Sequence, residues 1–226
     1  MSQNTRGDIK TLAYVLRRTN YGEADRILNL ITPSGKKSAI VKGVRKEKSK
    51  LAGGVEMFSL VELNIYEGKS EMGVVTSARM LKYHSGLVTD LNKMTLAGEI
   101  LKKISLASEG ATSEEFFRIT RESLTGLDNG IDARVVEAWF VMNLLKASGD
   151  EVNLHRDVRG EKLVANQRYD WDAMEKAFIS RENGEFGAEE IKILRLMVTV
   201  ELKLVARVKN LDTWMDKILN FARMLK

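Results

Sequence analysis

The sequence contains no cysteine, a single proline, two histidines and no long apolar run. Without cysteine the chain has no disulfide, no thiol nucleophile and no thiolate metal ligand, a composition that suits a reducing compartment. The first eight residues lack the apolar core of a signal peptide. No segment approaches the roughly 18 apolar residues that a membrane-spanning helix needs. These absences predict a cytoplasmic protein without a membrane span.

Recognisable catalytic patterns are also missing. His84 and His155 are far apart in the sequence, and neither has a second metal ligand at helical spacing. Gly53-Gly54 is not followed by the lysine and hydroxyl residue of a phosphate-binding loop, and no Gly-x-Ser-x-Gly motif occurs. Glutamate pairs such as Glu114 and Glu115 fall at predicted helix N-termini, where the helix dipole explains them. The sequence therefore predicts a protein that is not an enzyme.

The charge of the chain is unevenly distributed. Residues 1–85 carry 15 Lys and Arg against 8 Asp and Glu, a net of +7, whereas residues 86–226 carry 21 against 23, a net of −2. The segment 36–53 alone holds seven basic side chains and one acidic one. A confined positive region predicts a polyanionic partner such as nucleic acid. The alternative for such a run is an ordinary solvated loop.

Five short strands are predicted in the first 85 residues, because apolar residues alternate or cluster there between turn residues. The predicted strands cover 8–18, 26–32, 38–44, 59–66 and 74–83. Their number, with a connector between the third and fourth, fits an OB-fold barrel, and an SH3-like barrel fits nearly as well. From residue 86 the apolar spacing is helical. We therefore predict an α+β protein, with a basic five-stranded OB-fold barrel over residues 1–85 and an all-α helical domain over residues 86–226.

The helical part contains one segment without helical periodicity. Residues 150–169 are predicted to form an irregular or hairpin-like insertion. Before it, Asp132 is expected to cap a central helix. After it, we expect a short helix over 171–178 and a long helix over 189–209.

The candidate nucleic-acid contacts all belong to the N-terminal part. Lysine and arginine neutralise phosphates, and an exposed aromatic ring can stack on unpaired bases. Tyr66 lies on the more polar face of its strand and is the stacking candidate. The candidate phosphate contacts are Arg17, Arg18, Lys36, Lys37, Lys42, Arg45, Lys46, Lys48 and Lys50.

Three segments of this part resemble the RecO family of bacterial DNA repair proteins. They are Tyr21-Gly22-Glu23-Ala24-Asp25-Arg26-Ile27, the basic stretch Gly43-Val44-Arg45-Lys46 with Lys48-Ser49-Lys50-Leu51-Ala52-Gly53, and Phe58-Ser59-Leu60-Val61-Glu62-Leu63 with Tyr66-Glu67-Gly68-Lys69. The similarity covers about residues 8–91 and extends more weakly to the C-terminus.

The resemblance implies an OB-fold followed by a helical domain. It implies a recombination mediator that binds single- and double-stranded DNA, anneals complementary strands, and helps to load RecA on DNA coated by the single-stranded-DNA-binding protein SSB. The implied partners are RecR, the acidic C-terminal tail of SSB and, indirectly, RecA, and the implied location is the nucleoid. The residues themselves leave two alternatives open: an OB-fold module for structured RNA, and a non-enzymatic assembly scaffold whose basic edge contacts an acidic protein tail.

One feature departs from the resemblance. Several members of the family carry a four-cysteine zinc site in an insertion within the helical domain, and residues 153–168 occupy the corresponding place here. Because the chain has no cysteine, we expect neither zinc nor another cofactor. The insertion is expected to be held instead by packing of its own aliphatic side chains, namely Val152, Leu154, Val158, Leu163 and Val164.

Overall fold

The computed structural model describes residues 7–68 and 72–225, so the start of the segment assessed for a signal peptide lies outside the described residues. Five strands form a closed barrel in the order β1-β2-β3-β5-β4, with β3 and β5 parallel and β1 paired to β4. This is a five-stranded OB-fold, and all five predicted strands are present. The strands are Gly7–Tyr21 (β1), Asp25–Thr32 (β2), Gly35–Val41 (β3), Ser59–Glu67 (β4) and Gly73–Tyr83 (β5).

The barrel closes because β1 is long and irregular. Its first half pairs with β4, its second half pairs with β2, and the register shifts between Val15 and Arg17. Such a bulge bends a strand and lets it serve two neighbours. Alternate residues of each strand point inward and fill the interior with aliphatic side chains. This core includes Ala13, Val15, Leu28, Leu30, Ala39, Val41, Val61, Leu63, Ile65 and Val75.

Helices follow the barrel from Ser85 onward, at the place where the sequence pattern changes. The chain divides into two compact units after Asn129, so the first unit holds the barrel together with α1, α2 and α3. The α-helices of the described residues are Ser85–Val88 (α1), Leu91–Ala107 (α2), Glu115–Asp128 (α3), Ala133–Ala147 (α4), Ala188–Thr199 (α5), Leu202–Val205 (α6) and Asp212–Met224 (α7).

Helix α4 is central to the second unit, and Asp132 caps it as predicted, accepting the backbone N–H of Arg134 at 2.8 Å. The prediction of one long helix over 189–209 is wrong, because α5 ends at Thr199 and α6 begins at Leu202. Side chains of α4 capture the carbonyls at this break: Trp139 donates to Val200 at 3.1 Å and Asn143 to Met197 at 2.7 Å. Each of these carbonyls therefore accepts a hydrogen bond from a side chain of the neighbouring helix α4.

The predicted short helix over 171–178 is also wrong, because this segment is a β-hairpin of Tyr169–Asp172 (β6) and Ala177–Ser180 (β7). Trp171 lies opposite Phe178, with ring centroids 5.3 Å apart. The Asp172 carboxylate accepts the N–H groups of Met174 and Glu175 and so fixes the turn.

Packing of its own aliphatic side chains accounts for only part of how the insertion is held, because its Tyr169 ring also contacts Phe178, with centroids 6.4 Å apart. Leu154 is buried as expected, but Val164 is 43% exposed. Phe178 packs between Phe186 and Phe221, with centroids 5.5 and 5.7 Å away, and all three rings are fully buried. Aromatic pairs in these geometries stabilise beyond the area that they bury.

Candidate nucleic-acid interface

The basic stretch identified in the sequence forms the connector between β3 and β4, and the barrel core anchors it at both ends. Val44 is buried at its start, while Leu51 and Ala52 pack against the core cluster at its end. The Asp25 carboxylate accepts the N–H of Gly43 at 2.7 Å, where the backbone has a φ of +63° that favours glycine. The connector therefore has a fixed course rather than that of a free loop.

Between these anchors the chain makes two turns, closed by Lys46 N–H to Gly43 and Ser49 N–H to Lys46. Arg45 also joins the connector to the β1–β2 turn, since its backbone donates to Ala24 and its guanidinium to the Gly22 carbonyl. Five basic side chains of this connector are exposed, and within the described residues none forms an ion pair. They are Lys42, Arg45, Lys46, Lys48 and Lys50, here called the connector cations.

Three other candidate contacts are occupied by partners in the fold. Lys36 donates to the carbonyl of Ser105 at 2.8 Å and forms an ion pair with Glu109, so it ties the β2–β3 turn to the end of α2. Lys37 is paired with Glu67 at 2.7 Å. Arg18 is paired with Glu56, also at 2.7 Å. These three cations stabilise the first unit, and their charge is already compensated.

The barrel also presents a row of partly apolar side chains on its outer surface. Because inward residues such as Leu28 and Ala39 fill the core, their neighbours Ile27 and Ile40 point outward, and both are only partly covered. Residues paired across strands lie on the same face. The pairing runs Thr19–Ile27–Ile40–Val74–Tyr66 across four strand boundaries, and this set is here called the outer row.

The outer row includes one candidate that the sequence named and others that it did not. Tyr66 is 49% exposed at one end of the row. Exposed Arg17 belongs to the adjacent row, where its partner Asn29 faces Ser38 on β3. Ile27 and Ile40 were not named as candidates from the sequence. The signal for them was that β2 and β3 carry apolar residues at outward as well as inward positions, a pattern that indicates a second apolar face. The outer row supplies surface for bases, and the connector cations supply charge for phosphates.

Tyr14, His84 and Asp128 form a network of titratable side chains in the first unit. His84 is fully buried, its Nδ1 is 3.2 Å from the Asp128 carboxylate, and its Nε2 is 3.3 Å from the Tyr14 hydroxyl. Burial raises the pKa of Tyr14 to about 12 and lowers the pKa of His84. Burial opposes ionisation of Asp128, but hydrogen bonds from His84 and Gly86 outweigh it and lower the pKa of that carboxyl. The network joins β1 and the end of β5 to α3.

Within residues 7–68 and 72–225, no three His, Asp or Glu side chains come together in a way that could hold a metal ion. Within the same ranges no helix combines the length and the apolar character needed to cross a membrane.

Comparison with known proteins matches both parts of the chain. The family model described as Recombination protein O N terminal matches residues 5–84, and the one described as Recombination protein O C terminal matches residues 88–213. The DNA repair protein RecO of Dehalococcoides mccartyi (strain 195) is 32% identical over 165 residues, which are 72% of this chain and 65% of that relative. The DNA repair protein RecO of Alkaliphilus metalliredigens is 28% identical over 202 residues, 88% of this chain and 81% of the relative.

The match to the first of these relatives thus spans a little under two thirds of that protein's length. The two family models follow one another along the chain in the order of the OB-fold barrel and the helices. On these matches, the chain belongs to the RecO family of DNA repair proteins.

Proposed function

We propose that this chain is a recombination mediator that binds single- and double-stranded DNA without sequence specificity and anneals complementary strands. The observation that carries the proposal is the set of five exposed connector cations, which are held on an anchored connector and lack acidic partners among the described residues. Phosphates supply the missing counter-charge, and their binding releases counterions from the DNA. Membership of the RecO family supports DNA as the polyanion.

Single strands differ from duplexes in offering unpaired bases. The outer row offers Tyr66 as a stacking ring and the half-covered Ile27 and Ile40 as apolar contacts. A strand held by its phosphates, with few base edges engaged, keeps its pairing edges free for a complementary strand. Annealing on this surface needs no covalent step and no nucleotide, so the protein acts as a mediator and not as an enzyme.

The wider role follows from the family. In the proposal, the chain acts in the cytoplasm at the nucleoid, works with RecR, contacts the acidic tail of SSB, and helps RecA to load on SSB-coated DNA. It needs no zinc or other cofactor. The uncompensated positive charge of the first unit supports contact with polyanions in general.

The direct test reverses charge on the connector in the triple variant Arg45→Glu/Lys46→Glu/Lys48→Glu. Each lost contact to a single strand removes about 0.7 from the slope of log affinity against log salt, so the slope should fall in magnitude by roughly 2. Affinity for oligo-dT and for duplex DNA should be measured by fluorescence anisotropy over a salt series.

The matched control is Lys203→Glu/Arg207→Glu/Lys209→Glu, which changes the net charge equally at three exposed positions of the second unit. Unchanged affinity and salt slope in the connector variant would refute the proposed interface. Folded RNA should compete poorly with single-stranded DNA, and efficient competition would favour an RNA-binding module. Annealing of SSB-coated strands should proceed without ATP.

A further inference from the structure

A second group of uncompensated cations belongs to the second compact unit. They line a cleft of about 330 Å³ formed by Arg156, Lys162 and Arg195 together with His155 and Leu163. No acidic residue is among those that line it. This site is here called the hairpin cleft. Like charges brought together at a concave surface raise the local positive potential and attract anions.

A small hairpin within the insertion places two of these cations side by side. Arg156 and Lys162 are bridge partners on its two antiparallel arms. The buried carboxylate of Asp157 accepts the N–H groups of Arg159 and Glu161, both at 2.9 Å, and fixes the turn between the arms. The carboxylate nearest in sequence to Arg156 is therefore engaged by backbone donors. Like charges on directly opposite residues repel one another, so placing these two cations side by side destabilises the hairpin.

The third cation is positioned by a different element. Arg195 projects from α5, is half-buried, and donates from Nε to the carbonyl of Leu154 at 2.9 Å. Arg156 likewise donates to a carbonyl, that of Gly160, at 2.7 Å. These contacts orient both guanidinium groups without neutralising them. Within residues 7–68 and 72–225, neither arginine nor Lys162 forms an ion pair.

The cationic lining of the cleft suits a phosphate group. An adjoining depression shares Leu163 and Arg195 with it. Neither cavity is lined by Phe, Tyr or Trp, so neither offers one of the larger rings on which bases stack. Guanidinium forks match the oxygens of a phosphate, and a lysine adds a point charge.

We infer that the hairpin cleft binds the phosphate backbone of a second DNA strand. This inference rests on the proposed function, because a second phosphate site lets one protein bring two strands together for annealing. The connector cations and the outer row hold the first strand, whose bases they approach. The hairpin cleft holds the other strand by phosphates alone, which leaves its bases unread and its pairing edges free.

The test uses the full chain carrying Arg156→Glu/Lys162→Glu. An oligo-dT strand is immobilised and saturated with protein, and capture of a second, labelled oligo-dT strand is measured over a salt series. Because these strands cannot pair with one another, capture reports bridging by the protein. The variant should bind the first strand with near wild-type affinity. Its capture of the second strand should fall at least about tenfold. Annealing of complementary strands should slow in parallel.

The matched control is Arg207→Glu/Lys209→Glu, with the same charge change at two exposed positions that do not line the cleft. If the Glu variant fails to fold by circular dichroism, Arg156→Gln/Lys162→Gln replaces it, with the same expectation and a smaller effect. Second-strand capture equal to that of the control overturns the inference. The inference is also overturned if the variant still captures the second strand but no longer binds a poly-glutamate peptide. Failure of the proposed function would show itself differently, as intact first-strand binding in the connector variant.

Discussion

The buried network of Tyr14, His84 and Asp128 gives the first unit a pH dependence whose sign follows from the structure. His84 is fully buried, and burial lowers its pKa below the ordinary value of 6.5 that it regains in the unfolded chain. Below pH 6.5 the unfolded chain takes up a proton that the folded chain does not. The free energy of unfolding therefore falls as the pH drops through 6.5 and levels off below the folded pKa.

The size of the effect is bounded by proton linkage. One group that differs by a full proton between the two states changes the free energy of unfolding by about 1.4 kcal/mol per pH unit. Between pH 6.5 and 5.5 the loss from His84 is therefore at most about 1.4 kcal/mol, a tenfold change in the folding equilibrium. The pKa of the Asp128 carboxyl is lowered from its ordinary value of 3.8, so this group changes the free energy of unfolding only at lower pH. Measurements above pH 5 therefore isolate the effect of the histidine.

The assay compares the wild type with His84→Gln, which keeps an amide donor beside Asp128 and removes the titration. Urea unfolding followed by circular dichroism from pH 7.5 to 5.0 should give parallel stability curves above pH 6.5 and converging curves below it, because only the wild type loses stability from this site. The second histidine, His155, is exposed and is present in both proteins. A constant difference down to pH 5, or a wild-type curve that rises as pH falls, would refute the reasoning.

Four further outcomes are expected. Phe178→Ala should lower the free energy of unfolding by about 3–5 kcal/mol, since it empties the centre of the aromatic cluster. EDTA should leave the wild-type unfolding midpoint unchanged, and a shift would show that a metal supports the fold. Gly35→Ala should cost at least about 2 kcal/mol in urea unfolding, because the residue has a φ of +100° and an added Cβ would overlap the Ala111 carbonyl. Tyr66→Ala should weaken oligo-dT binding by about 1–3 kcal/mol with an unchanged salt slope, whereas Tyr66→Phe should bind normally.

Local sequence patterns were sufficient to predict the five strands of the barrel. Whether a residue points into or out of a strand depends on its position relative to its immediate neighbours, so alternation over residues 59–66 predicted β4 directly. The order in which the strands pair was suggested only by analogy with a known fold, because strands that meet across the barrel are distant in sequence.

Local patterns failed where distant residues compete for the same backbone groups. The apolar spacing over 189–209 suits one continuous helix, yet Trp139 and Asn143 of α4 bind the carbonyls at its middle and the helix ends there. Residues 171–178 have spacing compatible with a helix, but pairing of Trp171 with Phe178 in a hairpin packs both rings against Phe221 of α7.

The sequence by itself determined that the net positive charge belongs to the N-terminal part, that thiolate zinc ligation is impossible, and that a strand-rich segment precedes a helical one. The tertiary structure decided which of the cations remain free. Lys36 and Lys48 are indistinguishable in a basic run, yet Lys36 meets Glu109, 73 residues away, while Lys48 has no acidic partner among the described residues. A charge count depends on composition alone, whereas an ion pair requires the fold to bring its two partners within 4 Å.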